Sequence, residues 1–439
     1  MLLYQMVRPL MDWALKRHYR RIDLAHTERI PRNKAVILAA NHPTAFIEPC
    51  ILACFLDRPL YFLVRGDLFK KPLFRLLLEW LHMLPVYRIQ DGGYQNLKQN
   101  YDTFAACFKA LSEKRTIMIL AEGRCIHEKR LRPLKKGTAR LALGALEADP
   151  SLDEVYIVPV GVNYTHADRA DSEVLIRFGE PILASRFRES YAKQPNLAIN
   201  ELTDALKESL QEHVIHIDYP QDDRVAENML EIAQSSRSQQ LIKVVTNSEK
   251  ALEQEKEVVG KINRMEEGDK DTLKSLTGEY FGRLAQFGLD DAALTNKYAR
   301  KRKSTIQLLA GLPLALLGFL WHLPPLLIAE GVATAKVKTI EFYAPVRLVV
   351  WLATTVFYSL LWIILPMITG AWWWSALPLM ALLSFPWLIT YVSQLKQWHL
   401  GWRVGKMESH DLQYLKKLRG LILEVFNRSE AHNPTTITD

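Results

Sequence analysis

His42 and Glu48 sit in the segment Asn41-His42-Pro43-Thr44-Ala45-Phe46-Ile47-Glu48-Pro49. An imidazole with a carboxylate close behind it is a base with an orienting acid. The ring takes a proton from a hydroxyl, and the carboxylate selects the tautomer and steadies the imidazolium. Such a pair on its own also occurs as ordinary structure. Arg65, in Val64-Arg65-Gly66-Asp67, and Arg88, after Tyr87, carry planar guanidinium forks suited to anionic oxygens. Either one alone reads equally as a surface arginine. Glu122-Gly123-Arg124 places a carboxylate able to hold a hydroxyl beside a glycine that lets backbone approach a ligand. His127 and the run Arg130, Arg132, Lys135, Lys136 and Arg140 could draw in an anionic substrate, or form a solvated basic face. Cys50, Cys54, Cys107 and Cys125 make no Cys-x-x-Cys pair, which argues against a disulfide framework and a zinc site and suits a reducing compartment.

Positioning these groups falls to short apolar runs at 35–40, 61–64, 84–87, 116–121 and 155–160, with helical stretches at 97–114 and 134–148. A run at 174–178 reads as an edge strand. Alternation of this kind predicts a layered α/β domain with a mostly parallel sheet over 22–219. Ligands of such sheets gather at the carboxyl ends of the strands. His42, Arg65, Arg88 and Glu122 all fall there.

The formal charge of +8 calls for an anionic partner or a solubility role. No zinc finger, RNP strand or helix-turn-helix pattern is present, so membrane and phosphate are favoured over nucleic acid. Residues 1–21 carry Leu3, Met6, Leu10 and Trp13 at helical spacing among Arg8, Lys16, Arg17, Arg20 and Arg21. This reads as a basic amphipathic helix on a membrane surface, or as a helix packed on its own domain, and not as a secretory signal. Alternating charges over 220–300 predict a helical linker or arm without chemistry. Residues 301–395 read as a membrane region. The runs 348–368 and 371–392 are long enough to cross a bilayer, which takes about 20 residues, and they predict a transmembrane hairpin with Trp372, Trp373 and Trp374 at its turn. The run 306–328 contains Pro313, His322, Pro324 and Pro325. With basic residues on both flanks and in the linker holding Lys336, Lys338 and Arg347, the positive-inside rule makes it a re-entrant or in-plane segment broken at its prolines. Residues 396–439 read as a basic cytoplasmic tail.

Four blocks over about 35–181 resemble the glycerolipid acyltransferase superfamily, which acylates glycerol 3-phosphate and 1-acylglycerol 3-phosphate. His42 to Pro49 is similar to the branch with five residues between the histidine and the acid, with Glu48 in place of aspartate. Leu84-Pro85-Val86-Tyr87-Arg88 resembles the phosphate-contacting block, and Arg65 is a second candidate for that contact. Ile119-Leu120-Ala121-Glu122-Gly123-Arg124-Cys125 is similar to Phe-Pro-Glu-Gly-Thr-Arg-Ser, with His127 and Lys136 following as in the bacterial branch. Ile157-Val158-Pro159-Val160-Gly161 resembles the strand that shapes the acyl pocket, at Pro159.

The resemblance implies an integral membrane protein with its α/β domain on the cytoplasmic face. His42 and Glu48 would be catalytic, and Arg65, Arg88, Glu122, Gly123, Arg124, His127 and Lys136 would bind substrate. The partners implied are membrane lipids, a glycerol-phosphate acceptor and acyl-CoA or acyl carrier protein as donor, with no metal or other cofactor and no nucleic acid. The five-residue spacing tilts the acceptor toward glycerol 3-phosphate. A lysophosphatidate or other lysolipid acceptor, and a non-catalytic membrane scaffold that kept the fold, are the alternatives.

Overall fold

The computed structural model describes residues 2–86, 97–237, 244–295 and 305–428. The chain divides into two compact units. The first comprises 1–214, 243–249 and 329–352 and is built on one sheet.

This unit opens with α1 (Leu2–His18) and β1 (Arg21–Ala25), followed by β2 (Ala35–Ala40), α2 (Ile47–Phe55) and β3 (Leu60–Arg65). Next come α3 (Pro72–Trp80), β4 (Met83–Val86), α4 (Leu97–Ser112), β5 (Thr116–Leu120) and α5 (Gly137–Ala148). The antiparallel pair β6 (Val155–Tyr164) and β7 (Glu173–Phe178) follows, then β8 (Ile182–Leu183), α6 (Arg188–Lys193) and α7 (Pro195–His213). The sheet order is β4-β3-β5-β2-β6-β7-β1, ending in β9 (Val244–Thr246), with β8 against β6. Six of the eight strand pairings are parallel.

All six residues of β2 are buried, as expected of a central strand covered on both faces. Val36, Ile37 and Leu38 are fully enclosed, and burial of each contributes about 1.5–3 kcal/mol. The expected edge strand at 174–178 is not an edge: β7 lies between β6 and β1, and β9 closes that side. Its alternation misleads because both faces are covered; Val174, Leu175 and Ile176 are all buried. At Gly161 in β6, a Cβ would lie 2.1 Å from the His213 carbonyl oxygen, so only glycine lets the end of α7 pack there.

α1 is amphipathic in two directions. Ala14 and Leu15 are buried in the unit, while Met6 and Leu10 face outward. Trp13 stacks on Trp351 with ring centroids 5.3 Å apart.

The second unit comprises 215–242, 250–328 and 353–439. Its helices are α8 (Asp223–Ser236), α9 (Lys250–Arg264), α10 (Glu267–Phe287) and α11 (Asp291–Leu294), and further along the chain α12 (Thr305–Lys336), α13 (Ile340–Ile368), α14 (Leu377–Lys406) and α15 (Ser409–Arg428); α12 and α13 each lend one end to the first unit. The region anticipated as a solvated linker is instead packed. Lys270 and Asp222 form a buried ion pair at 2.9 Å, and Arg419 of α15 meets the buried Asp291 at 2.8 Å. Charge alternation concealed this, because the pairing partners lie up to 128 residues apart. The basic tail likewise supplies α15, whose Leu415, Leu418 and Ile422 are buried.

α12 runs without interruption through Pro313, Pro324 and Pro325, where the sequence suggested a break. A proline frees a carbonyl one turn back, and neighbouring helices can re-satisfy such groups. The Tyr391 hydroxyl donates to the Leu308 carbonyl, next to the Leu309 carbonyl that Pro313 frees, at 2.7 Å. α12 and α13 are each long and apolar enough to cross a membrane. After the turn at Gly370, with φ at +78°, the stretch containing α14 is bent by 45° between Trp372–Ala381 and Ser384–Lys406. Pro386 follows that bend closely, and a proline ring clashes with the carbonyl four residues back, a common cause of such bends.

Candidate active site at the ends of β2 and β5

The carboxyl ends of β2 and β5 lie side by side, Ala40 in register with Leu120. Beyond β2, Asn41 continues the ladder with its side chain. Its Oδ1 accepts from Val162 N–H at 2.7 Å and its Nδ2 donates to the Val162 carbonyl at 2.9 Å. That clamp to β6 fixes where the next residue, His42, leaves the sheet. His42 is buried, and its backbone N–H donates to Glu122 Oε2 at 2.9 Å.

Glu122 ties three segments together. Besides the His42 N–H, its carboxylate accepts from Arg132 N–H at 2.9 Å and Arg132 Nη2 at 2.6 Å. Arg132 also donates to the Arg124 carbonyl, so the loop after β5 is closed on itself. Gly123 turns that loop with φ at +70°, in the left-handed region where a Cβ is strained. The sequence suggested that Glu122 holds a glycerol hydroxyl; in the structure both its oxygens hold the protein's own N–H groups.

Glu48 lies in the first turn of α2 and has no exposed surface. Its Oε1 accepts from Thr44 N–H at 2.6 Å, which folds the intervening loop over the helix start. Burial pushes its carboxyl up to about 8, and the negative charge of Glu122 adds to the rise. Backbone N–H groups, its own and that of Thr44, pull the other way. Tyr19 and Tyr164, both enclosed, have phenols pushed up by burial and then by the charge of Glu48. Ionised near 4.5 in the unfolded chain and near 8 in the fold, Glu48 leaves the folded state holding the extra proton between those values. Stability therefore falls as pH rises through that window, by up to about 1.4 kcal/mol per pH unit. Glu48→Gln cannot ionise, so its thermal midpoint in detergent is expected to change less between pH 5.5 and 8 than that of the parent. An equally steep fall in both proteins would refute the assignment.

The rim is built by a distant segment of the same unit. Glu341, in the first turn of α13, accepts the His127 N–H on its Oε1 at 3.3 Å and the Ala45 N–H on its carbonyl at 3.2 Å. Lys129 donates to the Thr165 carbonyl at 3.0 Å. Beside it the His166 imidazole is pushed down to about 4 by burial and by the charges of Lys129 and Arg169.

A family model described as Acyltransferase matches residues 21–163, the segment that carries β1, the His42 loop and the Glu122 loop. Residues 21–163 are an acyltransferase domain. The chain is 33% identical over 118 residues to "Glycerol-3-phosphate O-acyltransferase 2" of Saccharomyces cerevisiae, covering 27% of this chain and 16% of that protein. It is 36% identical over 109 residues to "Glycerol-3-phosphate O-acyltransferase 1" of the same yeast, covering 24% of this chain and 14% of that one. It thus spans less than a fifth of the length of these relatives. Among solved structures, the 1-acyl-sn-glycerophosphate (LPA) acyltransferase PlsC of Thermotoga maritima matches with a TM-score of 0.34 at 14% identity, over 48% of this chain and 77% of that one.

Within the acyltransferase domain the expected residues do not all converge. His42, Glu48, Glu122 and Gly123 meet at the ends of β2 and β5. His127 joins the rim. Pro159 is buried in β6, in register with Ala39. Arg65 ends β3, two strands from β2, or about 10 Å across the sheet. Its fork grips Asp67 at 2.8 and 3.1 Å. Arg124 and Lys136 are exposed, the latter just before α5. Arg88 lies outside the described residues. Sequence reasoning missed Asn41 as a clamp, Arg132 as the partner of Glu122, Glu341 and His166. Arg132 stood in a basic run among four other candidates, and nothing local distinguishes Glu341.

Proposed function

We propose that this chain is a membrane-bound O-acyltransferase that moves a fatty-acyl group from acyl-CoA or acyl carrier protein to a hydroxyl of glycerol 3-phosphate, making lysophosphatidic acid for phospholipid synthesis. The observation that carries this reading is His42, positioned by Asn41 and Glu122 at the carboxyl end of a central strand inside a segment matching the acyltransferase family. The His42 ring takes the proton of the acceptor hydroxyl, whose oxygen attacks the thioester carbonyl. The tetrahedral intermediate collapses, the carbon–sulfur bond breaks, and the imidazolium returns its proton to the departing thiolate. Glu48 that has already lost its proton to solvent carries a negative charge that favours the imidazolium, whereas neutral Glu48 takes no part in the proton transfer. Arg65, Arg88, Arg124, His127 and Lys136 supply cations for the phosphate and the donor, and Pro159 borders the acyl chain.

The purified chain, given radiolabelled palmitoyl-CoA, should acylate glycerol 3-phosphate faster than 1-acylglycerol 3-phosphate. The opposite preference would move the acceptor to a lysolipid. No transfer to any acceptor, from CoA or carrier-protein donor, would leave only a scaffold.

For topology, the turn between α12 and α13 belongs to the same unit as the His42 loop, and Glu341 bonds to Ala45 and His127. Lys336, Lys338 and Arg347 around that turn are basic, which by the positive-inside rule supports a cytoplasmic position for it and for the acyltransferase domain. A membrane-impermeant maleimide added to intact cells should leave Lys338→Cys unlabelled and should label it after permeabilisation. Labelling in intact cells would invert the orientation.

A further inference from the structure

α3 buries almost nothing of its apolar side, although Phe69 in the turn before it is buried. Leu73, Phe74, Leu76, Leu77 and Trp80 recur at helical spacing on one face, and Leu68 lies just upstream. All six are exposed, Leu73 at 66% and Phe74 at 54%. The opposite face carries Arg75 and Glu79, paired at 2.8 Å across one turn. No residue of α3 is buried. A nine-residue helix in a water-soluble domain normally turns its apolar stripe to the core. This one turns it outward, over an area larger than single exposed hydrophobics explain.

We propose that α3 is an interfacial element that seats Leu73, Phe74, Leu77 and Trp80 in the headgroup–acyl boundary of an anionic bilayer. Three observations choose lipid over a protein partner. Exposed Lys70 and Lys71 lead into the helix, with Arg75 and Glu79 on its polar face, which is the pattern of a helix lying in the plane of an acidic membrane. The stripe continues onto a neighbour: α1 packs against α3 and presents Met6 and Leu10 outward. α1 in turn stacks Trp13 on Trp351 of α13, a helix fit to cross the membrane. The apolar face is therefore continuous with α1, which packs on the part of α13 that belongs to the same unit. Because α3 joins β3 to β4, its insertion brings the carboxyl end of that half of the sheet to the bilayer surface. An acyl chain could then pass to the domain without crossing water.

The inference rests on the membrane-bound reading, though not on catalysis, and depth measurement separates the two. Full-length protein in nanodiscs of phosphatidylglycerol and phosphatidylcholine would carry a nitroxide at Phe74→Cys, Leu77→Cys, Glu79→Cys or Phe357→Cys, the last on α13. Burial holds the native Cys50, Cys54 and Cys107 thiols up near 12, so brief labelling at neutral pH favours the introduced thiol, and unsubstituted protein gives the blank. Oxygen collisions should exceed those of a water-soluble nickel chelate at positions 74, 77 and 357 by several-fold relative to position 79. Lys70→Glu with Lys71→Glu should make position 74 shallower without changing position 357. Water-like behaviour at 74 and 77 with lipid-like behaviour at 357 would overturn the inference and leave the spanning helices intact. Water-like behaviour at all four would remove both. Spectra at 74 that sharpen on dilution with unlabelled protein would assign the face to a second copy instead.

Discussion

His42→Ala is expected to lower acyl-transfer turnover by about 10²–10⁴-fold, the range of a positioned general base, while the fold survives. The distinction is built into the geometry. Glu122 holds this residue through its backbone N–H, which alanine keeps, and Asn41 clamps the preceding residue to β6. Only the imidazole is removed. Truncating this one buried ring with the backbone ties kept should cost about 1–2 kcal/mol of stability, so the thermal midpoint should move by only a few degrees. Added imidazole should restore part of the lost turnover, since an exogenous base can enter the space vacated by the ring. Turnover should also rise with pH as Glu48 ionises near 8, and Glu48→Gln should lose that limb. Full activity in His42→Ala would end the acyltransferase mechanism, and inactivity accompanied by unfolding would assign His42 to structure.

How much of this was written locally depends on the range of each interaction. The central strand β2 was legible because a run of six apolar residues flanked by Lys34 and Asn41 suits burial on both faces. The His42 and Glu122 loops were legible because each follows such a strand, and parallel pairing brings their carboxyl ends together. Beyond that, pattern failed where partners are far apart. β9 reaches β1 from more than 200 residues away, and three residues carry no periodicity. Glu341 meets His127 across 214 residues, from the start of a helix whose composition speaks only of lipid. Glu48 was read as a ready anion because a carboxylate after a histidine is one in water. Only the packing of α1, α2 and the end of β6 around it reveals that burial keeps it protonated at neutral pH. Arg65 stood as a second phosphate candidate from its place at a strand end, and its pairing with Asp67 two residues on was not anticipated.

Arg132→Met should cost more stability than any other single change near the site, about 3–5 kcal/mol. The Glu122 carboxylate is 2% exposed on its side chain, and Arg132 is the cation that meets it, at 2.6 Å. Truncating that partner leaves a buried negative charge, with desolvation unrelieved by the two remaining backbone donors. For a domain of this size the loss corresponds to roughly 10 °C in thermal midpoint. Arg132→Lys keeps the charge without the fork that reaches both Glu122 and the Arg124 carbonyl, so it should recover part of the loss. The decisive comparison is the double variant Glu122→Gln with Arg132→Met. An uncharged amide needs no counter-ion, and its oxygen can still accept the His42 N–H. If the buried pair is the cause, the double variant should regain more than half the stability that Arg132→Met loses. Its KM for acceptor should stay closer to the parent than its turnover, because what has changed is the hold on the His42 loop. Strictly additive losses would show that Arg132 stabilises the loop through its packing and its bond to Arg124, and that the charge of Glu122 is tolerated without it.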